Sequence, residues 1–220
     1  MPDNSLFIGE SLSVYYGYGN DGIWQESDAA EMEKWNANGY HFTAGNVRPH
    51  DVDGDYKMTI EDRMVLGNKR PKTTLGWTNN FSYKGLELGI SMIGRLGYTF
   101  STGGEALTAH ANQRELDYWT PQNTSAEWQK PILAQATSGS KDDFSTLLGF
   151  KDASFIKVRN ISLGYNFPKS LLKSATLSHA KLYAQVINPF SIHQSIKGYD
   201  LDTGRTYFNR SFVFGLEIGF

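Results

Sequence analysis

Five stretches of the chain alternate apolar and polar residues with a period of two, the spacing of a strand with one wet face. In the first, Leu75, Trp77, Phe81 and Tyr83 share a face opposite Gly76, Thr78, Asn80 and Ser82. Lys84-Gly85 reads as a tight turn, after which Leu86, Leu88, Ile90 and Met92 alternate with Glu87, Gly89 and Ser91, giving a β-hairpin. In the third stretch Ile161, Leu163, Tyr165 and Phe167 alternate with Ser162, Gly164 and Asn166, and Pro168 ends the run. Ile156 and Val158 have the opposite parity. Either a bulge near Asn160 resets the phase, or that part of the strand lies beyond the apolar zone. In 179–190, Leu182, Ala184 and Val186 share a face, opposed by Tyr183 and Ile187. The last stretch has the cleanest alternation: Phe212, Phe214, Leu216, Ile218 and Phe220 against Val213, Gly215, Glu217 and Gly219.

The remaining chain is less regular. Residues 5–18 are apolar and aromatic with glycine interruptions and predict one or two strands. Residues 27–38 predict a short helix in a loop, capped by Ser27 and ended by Asn38-Gly39. Residues 97–153 show no clear alternation, and a connection of that length tends to be functional.

Alternation also occurs in soluble sandwiches, so it does not decide the architecture. Three further features favour a transmembrane β-barrel. The polar faces carry Gly, Ser, Asn and Glu, as a water-filled lumen would. Connections alternate between short (84–85, 168–178) and longer (97–153, 191–208), as periplasmic turns and extracellular loops do. With Lys84-Gly85 placed in the periplasm, Tyr83, Tyr165, Phe167 and Phe220 all fall at the lower ends of downward strands, the level of an interfacial aromatic girdle. The expected fold is all-β, an antiparallel meander forming part of such a barrel, with long extracellular loops and one short loop helix. About eight strands is the smallest usual closed barrel, so five imply a piece of something longer.

Charge and composition narrow the function. Lys and Arg number 21 against 23 Asp and Glu, which argues against a nucleic-acid footprint. With 0 Cys, disulfide scaffolds, thiol catalysis and thiolate metal sites are excluded. No apolar run is long enough for a transmembrane helix. Met1 to Leu6 has neither a basic nor an apolar region, so no signal peptide is expected: the mature chain is cytoplasmic or a fragment.

The strongest candidate chemistry is an acidic loop at residues 51–62. Asp51, Asp53 and Asp55 occupy positions one, three and five of an EF-hand-type loop. Lys57 would offer its carbonyl at seven, Thr59 would stand at nine and Asp62 would close at twelve. Calcium takes six to eight oxygens, and this spacing wraps a chain around one ion. Tyr56 stands where the usual glycine makes the sharp turn, and Asp62 is shorter than the usual glutamate. A structural Ca2+ clip is expected; a solvated acidic turn without metal is the alternative.

Other signals carry less. Gly17 to Gly22 matches G-x-G-x-x-G, but no helix start follows and no βαβ unit surrounds it. His41, His50, His110, His179 and His193 have no metal spacing, and no nucleophile elbow is present. Asp142 and Asp143 are adjacent and would face apart on an extended chain. No catalytic set emerges, and an enzyme is not expected. Trp24, Trp35, Trp119 and Trp128 could stack on sugar rings or pack within large loops.

An ordered set of segments carries a family resemblance: YYGYGNDGIWQ (15–25), DVDGDYKMTIEDRMVLGN (51–68), PKTTLGWTNNFSYKGLELGISMIG (71–94), YWTPQN (118–123), DASFIKVRNISLGYNFPKSLL (152–172), LYAQVINPF (182–190), KGYD (197–200) and FVFGLEIGF (212–220). Together they resemble the C-terminal barrel region of the SusC/RagA-type TonB-linked (TonB-dependent) outer-membrane transporters of Bacteroidetes, over essentially all of 1–220. The resemblance implies a 22-stranded barrel in the cell outer membrane, its wall against lipid. It implies import of an oligosaccharide or peptide substrate, a SusD-like lipoprotein as lid, and energy from the TonB complex. The plug and the TonB-contacting segment would lie in an absent N-terminal part. The competing reading is a soluble calcium-dependent carbohydrate-binding β-sandwich with its metal at Asp51–Asp62.

Overall fold

The computed structural model describes residues 7–103, 116–131, 144–173, 176–204 and 209–220. His110, Asp142 and Asp143 lie outside the described residues. In chain order the strands are β1 (Val14–Tyr18), β2 (Asn20–Ile23), β3 (Val47–Pro49), β4 (Arg63–Asn68), β5 (Thr73–Tyr83) and β6 (Leu86–Leu96). They continue with β7 (Thr99–Ser101), β8 (Phe150–Asp152), β9 (Phe155–Asn166), β10 (His179–Gln194) and β11 (Ser211–Gly219). The helices are α1 (Ala29–Ala37) and the single-turn α2 (Lys169–Leu172). The chain divides into a unit of Met1–Arg70 with Thr99–Lys151 and a unit of Pro71–Tyr98 with Asp152–Phe220.

The second unit is one five-stranded sheet in the order β11-β10-β9-β6-β5. Every neighbouring pair is antiparallel, which is the expected meander. β5 and β6 pair without a slip from Thr73 opposite Leu96 to Tyr83 opposite Leu86. The turn between them has φ 48° at Lys84 and 86° at Gly85, the doubly left-handed geometry of a two-residue hairpin. Gly is needed there, because a Cβ at Gly85 would come within 2.7 Å of the Asn166 carbonyl oxygen.

The parity break in the third stretch is a bulge. Ser91 faces Asn160 and Met92 faces Val158, so Arg159 is the extra residue on β9. β10 answers with its own irregularity: Ile187 faces Asn160 while Phe190 faces Val158, and Asn188 between them has φ 53°. The bulge keeps Ile156 and Val158 on the apolar face with Ile161 and Leu163. By the same step it carries Lys157, which shares their odd numbering, to the polar face opposite Ile93.

The first unit is built from short strand pairs, β1 with β4, β2 with β3 and β7 with β8. Trp24, Met32, Trp35 and Phe42 form one buried cluster; Val47, Leu116, Trp128, Leu147 and Leu148 form another. The tryptophans are packed: Trp24, Trp35 and Trp128 lie in these clusters, and Trp119 is buried as well. α1 occupies the expected place, and Gly39 follows its end at φ 91°. Ser27 is not its cap. The reciprocal cap lies one turn earlier, where Gln25 N–H donates to Asp28 Oδ2 at 2.9 Å at the head of a 3-10 turn. The Ser27 hydroxyl contacts Asp28 instead, and Asp28, which holds the N-cap position of α1, makes no side-chain bond to the helix.

Candidate functional site

The sheet is the largest functional feature, because its two faces differ in kind. Following the register across it, one row reads Tyr83, Leu86, Tyr165, Leu182 and Leu216. The next reads Phe81, Leu88, Leu163, Ala184 and Phe214. On this face Phe212, Phe214 and Leu216 are 63%, 77% and 59% exposed, and Leu75, Trp77, Leu163 and Leu182 are exposed as well. A contiguous apolar field of this extent marks a surface that meets something other than water.

The opposite face is polar and hydrogen-bonded across strands. Gln185 Nε2 donates to Asn160 Oδ1 at 2.7 Å, and Thr78 and Ser91 hydroxyls lie 3.3 Å apart. Asn166 Nδ2 donates to Glu87 Oε1 at 2.7 Å, and Lys181 pairs with the other Glu87 oxygen. Tyr183 lies across Gly215, where an added Cβ would meet its ring at 2.2 Å. The aromatic level at the turn end is also present: Tyr165 and Phe167 meet edge to face at 5.2 Å, and Phe167 N–H donates to Ala180 O.

At the other end of the sheet is a charge cluster that the sequence pattern does not reveal. The alternation of connections makes residues 191–208 one of the longer loops. Instead β10 runs on to Gln194, and Ile196, Tyr199 and Leu201 are buried beyond it. Lys157 Nζ donates to both Asp200 oxygens, at 2.8 and 3.0 Å, with both side chains almost fully buried. Arg159 donates to Asp202 through Nε at 2.9 Å and Nη2 at 2.7 Å. Burial alone would raise Asp202, but Arg159 together with the Lys157 and Arg95 charges holds it below the usual carboxylate range.

The acidic loop gathers three of its six expected residues. Ligand oxygens of Asp51, Asp53 and Asp55 lie within 4.8 Å of one another. Asp51 accepts from Gly54 N–H and Tyr56 N–H, both at 2.8 Å, and Asp55 accepts from Lys57 N–H at 2.8 Å. Tyr56 takes the left-handed turn that a glycine would take, at φ 61°, and its ring packs on Trp35 at 6.2 Å. Partial desolvation, together with the negative charges of Asp55 and Asp62, holds the Asp53 carboxyl above its usual range despite the Asp55 N–H bond that lowers it. Asp62 is outside this trio. It is 0% exposed, and its two oxygens accept from Val52 N–H at 3.0 Å and Thr59 N–H at 2.6 Å. Thr59 Oγ1 contacts Glu61 Oε2 at 2.6 Å, and Lys57 Nζ is 3.9 Å from Asp55 Oδ2. Asp62 thus braces both ends of the loop.

No family model matches the chain. It is similar to TonB-dependent receptor P3 of Formosa agariphila, 26% identical over 190 residues, 80% of this chain and 17% of that protein. TonB-dependent receptor P26 of the same organism is 25% identical over 190 residues, 81% of this chain and 18% of that protein. Among solved structures it shares the fold of the RagAB peptide transporter, with a TM-score of 0.62, 16% identity, and coverage of 93% of this chain and 22% of that one. The RagAB peptide importer in the closed-closed state gives a TM-score of 0.59 at 18% identity with the same coverage. The chain therefore spans about a fifth of the length of the proteins it matches.

A meander with one exposed apolar face and one hydrogen-bonded polar face defines a section of an outer-membrane β-barrel. The sequence likeness points the same way: the relatives it matches are TonB-dependent receptors of a member of the Bacteroidetes. Those relatives are receptors and not enzymes.

Asp62→Ala strands two amides in the acidic loop. Both bonds are part-buried and each amide loses its carboxylate acceptor, so hydrogen exchange at Val52 and Thr59 is expected to speed up about tenfold. Unchanged protection would contradict the bracing role.

Proposed function

We propose that this chain is part of the barrel wall of an outer-membrane active transporter that imports a glycan or a peptide. TonB supplies the energy through the N-terminal part of the parent protein, and a SusD-like surface lipoprotein is the partner. The chain corresponds to the C-terminal barrel region, with its long connections on the extracellular side. The observation that carries this reading is the exposed apolar field on the sheet. A soluble sandwich would cover that field with a second layer, and in water it would drive aggregation. In hydrocarbon it is the required surface.

Spin labels in the full-length parent test the reading. Labels at Phe212, Phe214 and Leu216 are expected to be accessible to oxygen and shielded from a water-soluble relaxant, with the reverse at Ser162 and Gln185. Water-like accessibility at all three apolar positions would refute a lipid-facing wall.

The acidic loop fits a hard divalent cation, calcium first, held by the Asp51, Asp53 and Asp55 carboxylates. Lys57 offers its carbonyl and Thr59 stands at the ninth position, while Asp62 closes the loop as its brace. The convergence of the three carboxylates within 4.8 Å supports this assignment. Affinity of about 10⁻⁴–10⁻³ M would suit an extracellular clip. Titrating the parent with terbium should give saturable emission sensitised through Tyr56, displaced by calcium and weakened about tenfold by Asp53→Asn. Absence of saturable binding in the millimolar range would identify a metal-free acidic turn.

A further inference from the structure

The bulge at Arg159 has a second effect besides keeping the apolar face continuous. Without it, Lys157 would have the parity of Ile161, Leu163 and Tyr165 and would project from the apolar face. The bulge turns it to the polar face, where it lies opposite Ile93 and is 1% exposed. A buried ammonium needs a partner, and that partner arrives from the connection between β10 and β11. Asp200 meets Lys157 with both oxygens and is itself 3% exposed.

The same connection is tied down at several other points. Gln194 donates through its side chain to the Ile196 and Tyr199 carbonyls. Ser195 N–H donates to Ser154 O at 3.0 Å, and its hydroxyl donates to Asp152 Oδ2 at 2.7 Å. Asp202 takes the Arg159 fork and lies 3.9 Å from Arg95 Nη2. Asp200 also shapes its own turn: its Oδ1 accepts from Asp202 N–H, and its carbonyl accepts from Gly204 N–H at 2.8 Å. Ile196, Tyr199 and Leu201 are buried as a result. Phe155, Lys157 and Arg95 all lie on the polar face. The segment is therefore turned in across that face, at the end of the sheet away from the Lys84-Gly85 turn.

We infer that residues 195–204 form a fixed in-turned strap at the extracellular mouth of the pore, and that the Lys157–Asp200 pair is the clasp that holds it there. The assignment of mouth and pore rests on the barrel reading; the clasp itself does not. The strap narrows the path along the polar face and sets Arg95, Arg159 and Asp202 at its edge. Breaking one partner of a buried ion pair leaves an uncompensated charge, which favours release of the segment carrying it. The strap then becomes a locally opening element while the sheet beneath stays intact.

The test uses the full-length parent in outer-membrane preparations, with cysteines elsewhere in the parent replaced; this chain has none of its own. Leu201→Cys serves as the reporter, probed with a membrane-impermeant maleimide. With the clasp intact, labelling is expected to be slow. Adding Lys157→Met should raise its rate about tenfold or more, with the heat-modifiable migration of the folded barrel unchanged. If that variant does not assemble, Asp200→Asn, which keeps an acceptor for the turn, should give the same rise. Combined, the two substitutions should label no faster than the faster single variant, because the Lys157–Asp200 contact is common to both, whereas the longer 3.8 Å approach of Lys157 to Asp202 is lost with Lys157→Met alone. Rapid labelling with the clasp intact, or a rate that neither substitution changes, would overturn the inference. A spin label at Phe214 in the same preparation reports separately on the barrel reading.

Discussion

On the proposed reading one face of the sheet meets hydrocarbon, which offers no hydrogen-bond partners, and the two-faced pattern follows from that. A strand can face lipid only if its backbone pairs on both sides and its side chains toward the lipid are apolar. The meander supplies the pairing between β5 and β11, and the rows from Tyr83 to Leu216 and from Phe81 to Phe214 supply the apolar side chains. The polar face is free of this demand. It can therefore carry Asn160, Gln185, Glu87 and Lys181, which bond to one another across strands.

The same demand explains the irregularity in β9. A lysine among lipid-facing residues would be costly at the middle of a membrane. One extra residue at Arg159 keeps Val158 and Ile156 in the apolar rows and sends Lys157 to the other side. The Asn188 irregularity on β10 lets the neighbouring strand follow the bend. The strain of a left-handed asparagine is small beside the cost of a charge in lipid. The in-turned segment around Asp200 completes the arrangement by neutralising the lysine where the bulge has placed it.

The sheet was almost wholly legible from the sequence. Period two decides the face of each side chain locally, so Leu75 to Tyr83 or Phe212 to Phe220 could be placed without any knowledge of their neighbours. The break between Val158 and Ile161 was visible, and a bulge was one of two accounts of it. The clasp was not visible, because Asp200 lies 43 residues from Lys157 and looks like any loop carboxylate. Its nearest signal was a lysine lodged in an otherwise apolar run. The acidic loop was legible as spacing, yet spacing alone does not say where an oxygen points. Asp62 turned to Val52 and Thr59 because those amides converge on it. The tryptophans were ambiguous for a related reason: an irregular sequence does not reveal which distant segments bury it.

Trp77 offers the most direct view of the central claim, since it stands exposed in the apolar field between Leu75 and Asn79. The full-length parent, reconstituted in lipid brominated along the acyl chain, should lose part of its tryptophan emission, and Trp77→Phe should remove much of that quenchable part. If the acyl bromines leave the same emission untouched while a water-soluble quencher removes it, this face meets water and the sheet is not a membrane wall.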